Sequence, residues 1–291
     1  MSGKPIVYTI AGSDCSGGAG LQADLLTLHA LGVHACTLTT ALTAQNRHGV
    51  QALLPTSTAQ LRAEFAALFG ELKPSAIKLG MLATAELATT VTDLLTRCDC
   101  PVICDPVLSA SAGGELLSEA GLHVLRQLLP RLTLLTPNAQ EAAALSGLLV
   151  QDYASMANAA ERLLQLGAQA VLITGGDLAH DAAHRCDYFA SHAQRFWLQA
   201  DTVATPHTHG TGCTLASAIA AFMAQGHDLR DAVVLGKMVI TEGLRSAQGV
   251  GDSDGAGSGA VAHPRWREVL DGGLANLPRL LPQRPDTFTP L

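Results

Sequence analysis

The stretch Thr208-His209-Gly210-Thr211-Gly212-Cys213-Thr214 holds the residues best suited to handling an anion. Its glycines leave backbone N–H groups uncovered. Leu215, Ala216, Ile219, Ala220 and Met223 follow at helical spacing, so the loop is expected to run into a helix N-terminus. Free N–H groups and a helix dipole worth roughly half a positive charge favour a phosphate or a developing oxyanion there. Cys213 stands at the mouth, where the same field is expected to lower its thiol from a free value of about 8.5. The competing reading is a glycine-rich helix start with a packing cysteine.

Other polar groups recur at strand ends. Pro5–Ala11 reads as a buried strand that empties into Gly12-Ser13-Asp14-Cys15-Ser16-Gly17-Gly18-Ala19-Gly20, after which Leu21, Leu25, Leu28 and Leu31 mark a helix. Val33–Thr40 is a second β-rich run, followed by Ala41–Asn46 with Gln45 and a turn at Arg47-His48-Gly49. Ala76–Leu79 ends in Gly80-Met81, and Pro101–Cys104 ends in Asp105, held extended by Pro106. Leu132–Thr136 ends in Pro137-Asn138 with Glu141 three residues on, a spacing that suits a helix cap as well as a catalytic pair. Ala170–Ile173 ends in Thr174-Gly175-Gly176.

Repeated strand–helix alternation predicts a mostly parallel sheet covered on both faces, with ligands beyond the carboxyl ends of the strands. That geometry gathers Gly12–Gly20, Gln45, Met81, Asp105, Asn138, Glu141 and Thr174 on one side of the sheet. Helices are expected near 58–70, 85–97, 154–166 and 228–245, and a short antiparallel pair at 186–189 and 194–198. Residues 249–259, rich in Gly, Ser and Asp, read as a loop that could cover a ligand, and the proline-rich tail from Pro278 reads as peripheral. No linker or repeat divides residues 1–291, so a single domain is expected.

The totals exclude several classes. A net charge of −7 with no Lys/Arg cluster argues against general nucleic-acid or membrane-surface binding. No apolar run is long enough to span a membrane. Seven scattered cysteines suit a reducing cytosol, and Cys98, Cys100 and Cys104 lack zinc-site spacing. Gly18-Ala19-Gly20-Leu21-Gln22-Ala23 fits G-x-G-x-x-A, but no acidic residue lies between Asp24 and Glu64 to bind a ribose. A second match at Gly255–Ala260 follows from composition alone. Neither G-x-x-x-x-G-K-[ST] nor G-x-S-x-G occurs. Two acids, an anion loop and no His/Cys metal set point to phosphoryl transfer with Mg²⁺.

Together, Ala11–Asp14, Ser16–Asp24, Thr40–Asn46, Lys78–Met81, Thr136–Asn138 with Glu141, and His207–Thr214 resemble the hydroxymethylpyrimidine/phosphomethylpyrimidine kinases, members of the ribokinase-like superfamily. The likeness runs in order from about residue 5 to 245. It implies a three-layer α/β/α sandwich and ATP-dependent phosphorylation of 4-amino-5-hydroxymethyl-2-methylpyrimidine, then of its monophosphate. Matched by position, it implies Cys213 as base with Gly210, Thr211 and Gly212 holding the transferring phosphate. Gln45, Met81, Ala19, Thr43, Gly12 and Asp24 would form the substrate site. Asn138, Thr174, Gly176 and Thr208 would meet the nucleotide, and Asp105 and Glu141 would organise Mg²⁺. The resemblance also implies a homodimer. One departure is Thr174, where relatives carry lysine in K-G-G; a lost ammonium implies a weakened second phosphorylation. Two alternatives are a pyridoxal/pyridoxine kinase, which Gln45 and Met81 disfavour, and a catalytically silent pyrimidine-binding regulator, which the complete Gly210–Cys213 loop disfavours.

Overall fold

A computed structural model describes residues 3–46, 49–109, 116–178, 183–249 and 259–285. In chain order the elements begin with β1 (Ile6–Asp14), α1 (Gly20–Ala30), β2 (His34–Asn46), β3 (Gly49–Pro55), α2 (Thr58–Phe69), β4 (Ala76–Leu79), α3 (Ala85–Leu95) and β5 (Val102–Cys104). They continue with α4 (Glu119–Leu128), β6 (Leu134–Leu135), α5 (Ala139–Ser146), α6 (Tyr153–Gln165), β7 (Ala170–Ile173), β8 (His184–Ser191) and β9 (Arg195–Asp201). The last are α7 (Thr211–Ala224), α8 (Leu229–Arg245), α9 (Trp266–Asp271) and β10 (Arg279–Leu281).

One sheet runs in the order β10-β9-β8-β7-β6-β5-β4-β1-β2-β3. The strands from β7 through β2 pair in parallel, each reached by a helical crossover, and both margins are antiparallel. Alternating side chains feed two cores. Val7, Ile103, Leu134 and Leu172 pack under α1, α7, α8 and α9, whereas Tyr8, Cys104, Leu135 and Ile173 pack under α2 to α6. The result is the expected α/β/α layering. The chain steps from β1 to β2 on one side and to β4 on the other, so the order reverses beside β1, where open α/β sheets leave a crevice at their carboxyl ends.

Two elements differ from the sequence expectation. β2 does not stop near Thr40 but runs on to Asn46 and pairs back with β3, with Ala41 opposite Pro55 and Asn46 opposite Gly49. Much of β3 is exposed, so it lacks the period-two apolar pattern that marks a half-buried strand. The tail is not wholly peripheral, because Arg279–Leu281 completes the free edge of β9 and Leu281 packs against the core. Two expectations lie wholly or largely outside the described residues: the turn at Arg47-His48, and the loop at 249–259 with its second glycine match, of which residues 250–258 are not described. No described helix is long and apolar enough to cross a membrane, and all seven cysteines are free.

Candidate active site

A cavity of about 680 Å³ opens along the carboxyl ends of the strands, from Gln45 on β2 to Asp201 on β9. Of the residues singled out by sequence, Gly12, Ala19, Thr43, Gln45, Met81, Asp105, Asn138, Glu141, Thr174, Gly176, Thr208 and Gly210–Cys213 line it. Asp24 does not.

The anion loop is built by close backbone approach. Gly210 sits at φ +83°, and a Cβ there would lie 2.1 Å from the Gly18 carbonyl oxygen, so only glycine lets this loop rest on the first glycine turn. The next residue, Thr211, begins α7, whose N-terminus has no side-chain cap and so presents its first N–H groups to the cavity side. Thr208 closes the turn, its carbonyl accepting from Thr211 Oγ1 at 2.6 Å. A second tie is His209 Nε2, 3.0 Å from Asp14 Oδ2, an oxygen that also accepts from Ala19 N at 2.9 Å. Burial alone would raise the Asp14 carboxyl, but hydrogen bonds from His209, Ser16 and Gln45 outweigh it and hold the group well below the usual carboxylate range. The two glycine loops are therefore one pinned unit.

Cys213 reaches the cavity, but its thiol is not activated as the helix-dipole argument predicts. Burial pushes it up to about 12; Lys78 opposes that shift, while Asp105 and Asp24 add to it. Desolvation of a thiolate beside two carboxylates outweighs a half-charge at the helix end. Asp105 lies against the same loop, its Oδ2 3.2 Å from where a Cβ on Gly212 would stand. Its own carboxyl is raised to about 6, chiefly by burial and against the pull of Lys78. Glu141 is raised further, to about 8, by burial and then by Asp105. Two buried, mutually repelling carboxylates are a charge set that a divalent cation relieves, which fits Mg²⁺. Among the described residues no three His, Cys, Asp or Glu side chains form a metal cage.

The helix-cap reading of Asn138 and Glu141 is also realised. Asn138 Oδ1 accepts from Glu141 N and Glu141 Oε2 accepts from Asn138 N, each at 2.9 Å, a reciprocal box that fixes both side chains at the cavity wall. On the β1–β2–β4 side, Met81 presses on Gly12 so closely that a Cβ there would meet its Cε at 2.1 Å. Thr43 Oγ1 donates to the Ser13 carbonyl at 2.9 Å.

Asp24 is a correction to the sequence reading. It is fully buried beneath the cavity, where Lys78 Nζ donates to both its oxygens at 2.8 and 2.9 Å, Ser217 Oγ to Oδ1 at 2.8 Å and Thr9 Oγ1 to Oδ2 at 2.5 Å. A carboxylate with every lone pair engaged inside the protein has nothing left for a substrate.

Sequence reasoning missed Lys78, which lines the cavity floor while fully buried, and the pair Lys237–Asp187 at 2.6 Å on its far wall. A signal for Lys237 existed: it stands on the apolar stripe of α8 with Val233, Ile240 and Leu244.

The family described as phosphomethylpyrimidine kinase matches residues 14–258. The chain belongs to that family. A hydroxymethylpyrimidine/phosphomethylpyrimidine kinase of Streptomyces coelicolor is 41% identical over 89% of this chain and 94% of its own. Among solved structures, the phosphomethylpyrimidine kinase of Clostridium difficile 630 aligns with a TM-score of 0.72 and 33% identity, covering 82% of this chain and 99% of that one. Pyridoxal kinase from Staphylococcus aureus, in complex with AMP-PCP and pyridoxal, aligns with a TM-score of 0.82 and 28% identity over 91% and 96%. The fold is thus shared with a phosphomethylpyrimidine kinase and a pyridoxal kinase.

Proposed function

We propose that this chain transfers the γ-phosphoryl group of ATP to the hydroxymethyl group of 4-amino-5-hydroxymethyl-2-methylpyrimidine, and then phosphorylates the monophosphate. The observation that carries the reading is the pinned loop Gly210–Cys213 facing Asp105 and Glu141 across one cavity. Gln45, Met81, Gly12, Ala19 and Thr43 form the pyrimidine side; the Gln45 amide can both donate to and accept from an aminopyrimidine edge. Asn138, Thr174, Gly176 and Thr208 stand on the nucleotide side.

In the transfer, the substrate oxygen bonds to the γ-phosphorus as the bond to the ADP oxygen breaks. The first N–H groups of α7 hold the equatorial oxygens, and the hydroxyl proton passes to Cys213 Sγ. Sγ must be a thiolate to receive it. With the thiol held near 12, only a small fraction qualifies at neutral pH, so the rate is expected to rise with pH until the thiol itself is ionised. Asp105 and Glu141 would hold Mg²⁺ through water, and that ion would neutralise the donor phosphates and offset the field of the two acids at Sγ. The reading includes a homodimer in a reducing compartment, which light scattering on the purified protein tests for the first part.

Pyridoxal phosphorylation is the second reading, supported by the overlay on a pyridoxal kinase. Incubating the protein and its Cys213→Ala variant with Mg-ATP and each alcohol, and following products by mass spectrometry, separates them. Pyrimidine phosphate that falls by roughly 10²- to 10⁴-fold in the variant is expected for a lost acid–base group. Pyridoxal phosphate alone would move the chain to the second reading, and no turnover of either would leave a binding protein.

A further inference from the structure

Asp14 ends β1 opposite Thr43 of β2, and Gln45 stands two residues farther along β2, on the face that Thr43 shares with Asp14. All three line the cavity. The turn after β1 also holds the Gln45 backbone, because Cys15 Sγ lies 3.3 Å from the Gln45 carbonyl oxygen and 3.4 Å from its amide nitrogen. The Asp14 carboxylate is buried and ringed by donors. Oδ1 accepts from Ser16 N at 2.8 Å and Ser16 Oγ at 2.7 Å, and Oδ2 from Ala19 N at 2.9 Å and His209 Nε2 at 3.0 Å, with the Gln45 side chain donating beside them. An ionised carboxylate only accepts. An amide next to it therefore has one favourable orientation, NH₂ toward the charge and Oε1 away from it. The flip of Gln45 is set before any ligand enters. Oε1 and the second proton of Nε2 remain for the ligand, in a fixed order. On the pyrimidine proposed above, the edge beside the hydroxymethyl group carries the 4-amino donor next to the ring N3 acceptor, and it meets that order with two hydrogen bonds. A 4-oxo ring presents the reverse, an oxygen acceptor next to an N3–H donor, which sets acceptor against acceptor and donor against donor.

We propose that Asp14 is a specificity-determining positioning residue: by fixing the Gln45 amide it selects a heteroaromatic alcohol whose edge presents an exocyclic amine, and it rejects the 4-oxo counterpart. The inference rests on the pyrimidine reading of the site and names what that site excludes. An unanchored glutamine could rotate its amide to suit either ring, so the discrimination comes from the charge behind Gln45 and not from Gln45 alone. The same carboxylate ties the anion loop through His209, and that second duty has to be separated from the first.

The test measures kcat/KM with Mg-ATP for 4-amino-5-hydroxymethyl-2-methylpyrimidine and for 5-hydroxymethyl-2-methylpyrimidin-4-one, with products followed by mass spectrometry. The proteins are the wild-type chain, Asp14→Asn and His209→Ala, each first checked for a cooperative melt. Wild type is expected to prefer the amino ring by about tenfold to a hundredfold, the discrimination typical of an amide paired with an adenine-type edge. In Asp14→Asn the new amide can turn either its C=O or its NH₂ to Gln45, which frees the flip, and the preference is expected to fall to within about threefold. A purely structural role for Asp14 would lower kcat/KM for both rings alike and keep their ratio. His209→Ala loosens the anion loop while leaving the Asp14 charge, so both rings are expected to lose rate with the ratio kept. Equal use of the two rings by wild type overturns the assignment without any variant. So does a wild-type ratio retained in Asp14→Asn, or a ratio that collapses in His209→Ala as fully as in Asp14→Asn. Pyridoxal turnover with neither pyrimidine bound by calorimetry would sink the pyrimidine reading and the assignment together, whereas turnover of both pyrimidines at equal rates sinks the assignment alone.

Discussion

Asp24→Asn separates the two readings of that residue. Its carboxylate takes four hydrogen bonds in a site where both it and Lys78 are fully inaccessible. The amide keeps one acceptor oxygen and turns an NH₂ toward either the ammonium or the hydroxyls, so Lys78 is left as a buried cation without its counter-charge. Breaking a buried pair from one side costs about 3–5 kcal/mol. For a chain of this size that corresponds to a fall in the melting midpoint on the order of 10 °C. Adding Lys78→Met removes the stranded charge, and the double variant is expected to recover most of the loss, because an apolar side chain of similar length replaces the ion. The assay is a double-mutant cycle by thermal and urea unfolding, with the pyrimidine KM measured well below each midpoint. KM for Asp24→Asn is expected within about twofold of wild type, since a non-contacting residue changes binding little. An unchanged midpoint with KM raised tenfold or more would refute the structural account and return Asp24 to the substrate site.

Three further expectations follow from the geometry. The Glu141 carboxyl is raised in the fold from 4.5 to about 8, so it binds its proton more tightly folded than unfolded; the stability this gives is present below pH 4.5 and lost as pH rises through 8. In chelator, Glu141→Gln should therefore flatten the fall in melting temperature across that window and exceed wild type at pH 8, and parallel curves for the two proteins would contradict the cause assigned here. Gly210→Ala forces a side chain into a left-handed conformation, costing about 1–2 kcal/mol, and pushes the Gly18 carbonyl away. A cradle displaced by about 1 Å is expected to lose roughly a hundredfold in kcat with the fold intact by circular dichroism. Thr174→Lys should raise diphosphate formation relative to monophosphate several-fold, because an added ammonium at that turn counters the charge of the phosphates; product ratios by mass spectrometry check it, and no gain would count against a weakened second step.

Most strands and the glycine turns after β1, β4 and β7 were legible because a parallel sheet buried on both faces writes its strands as apolar runs that stop at a glycine, proline or acid. Ala76–Leu79 followed by Gly80-Met81 and Ala170–Ile173 followed by Thr174-Gly175-Gly176 are of this kind, and the wall of the cavity is largely their sum. β3 and β10 were not legible. Each is a margin strand with exposed side chains, held by backbone pairing to a neighbour that sequence pattern does not name. At the site, spacing placed Cys213, Asp105 and Glu141 together correctly but could not give the state of the thiol. The helix N-terminus is local and readable, whereas burial and the fields of Asp105, Asp24 and Lys78 come from three other strands or helices. The same limit explains Asp24. Within its own segment it looks like one more polar residue after a glycine turn, and only the crossing of α1 over β1, β4 and α7 brings Thr9, Lys78 and Ser217 around it. The segment Ser16–Asp24 thus contains two populations, loop residues such as Ala19 that face the cavity and a helix residue such as Asp24 one turn later that points into the protein. What distinguishes them is the direction of the side chain on α1, and that direction becomes visible in sequence only when Leu21, Ala23, Asp24, Thr27 and Leu28 are read as one buried face.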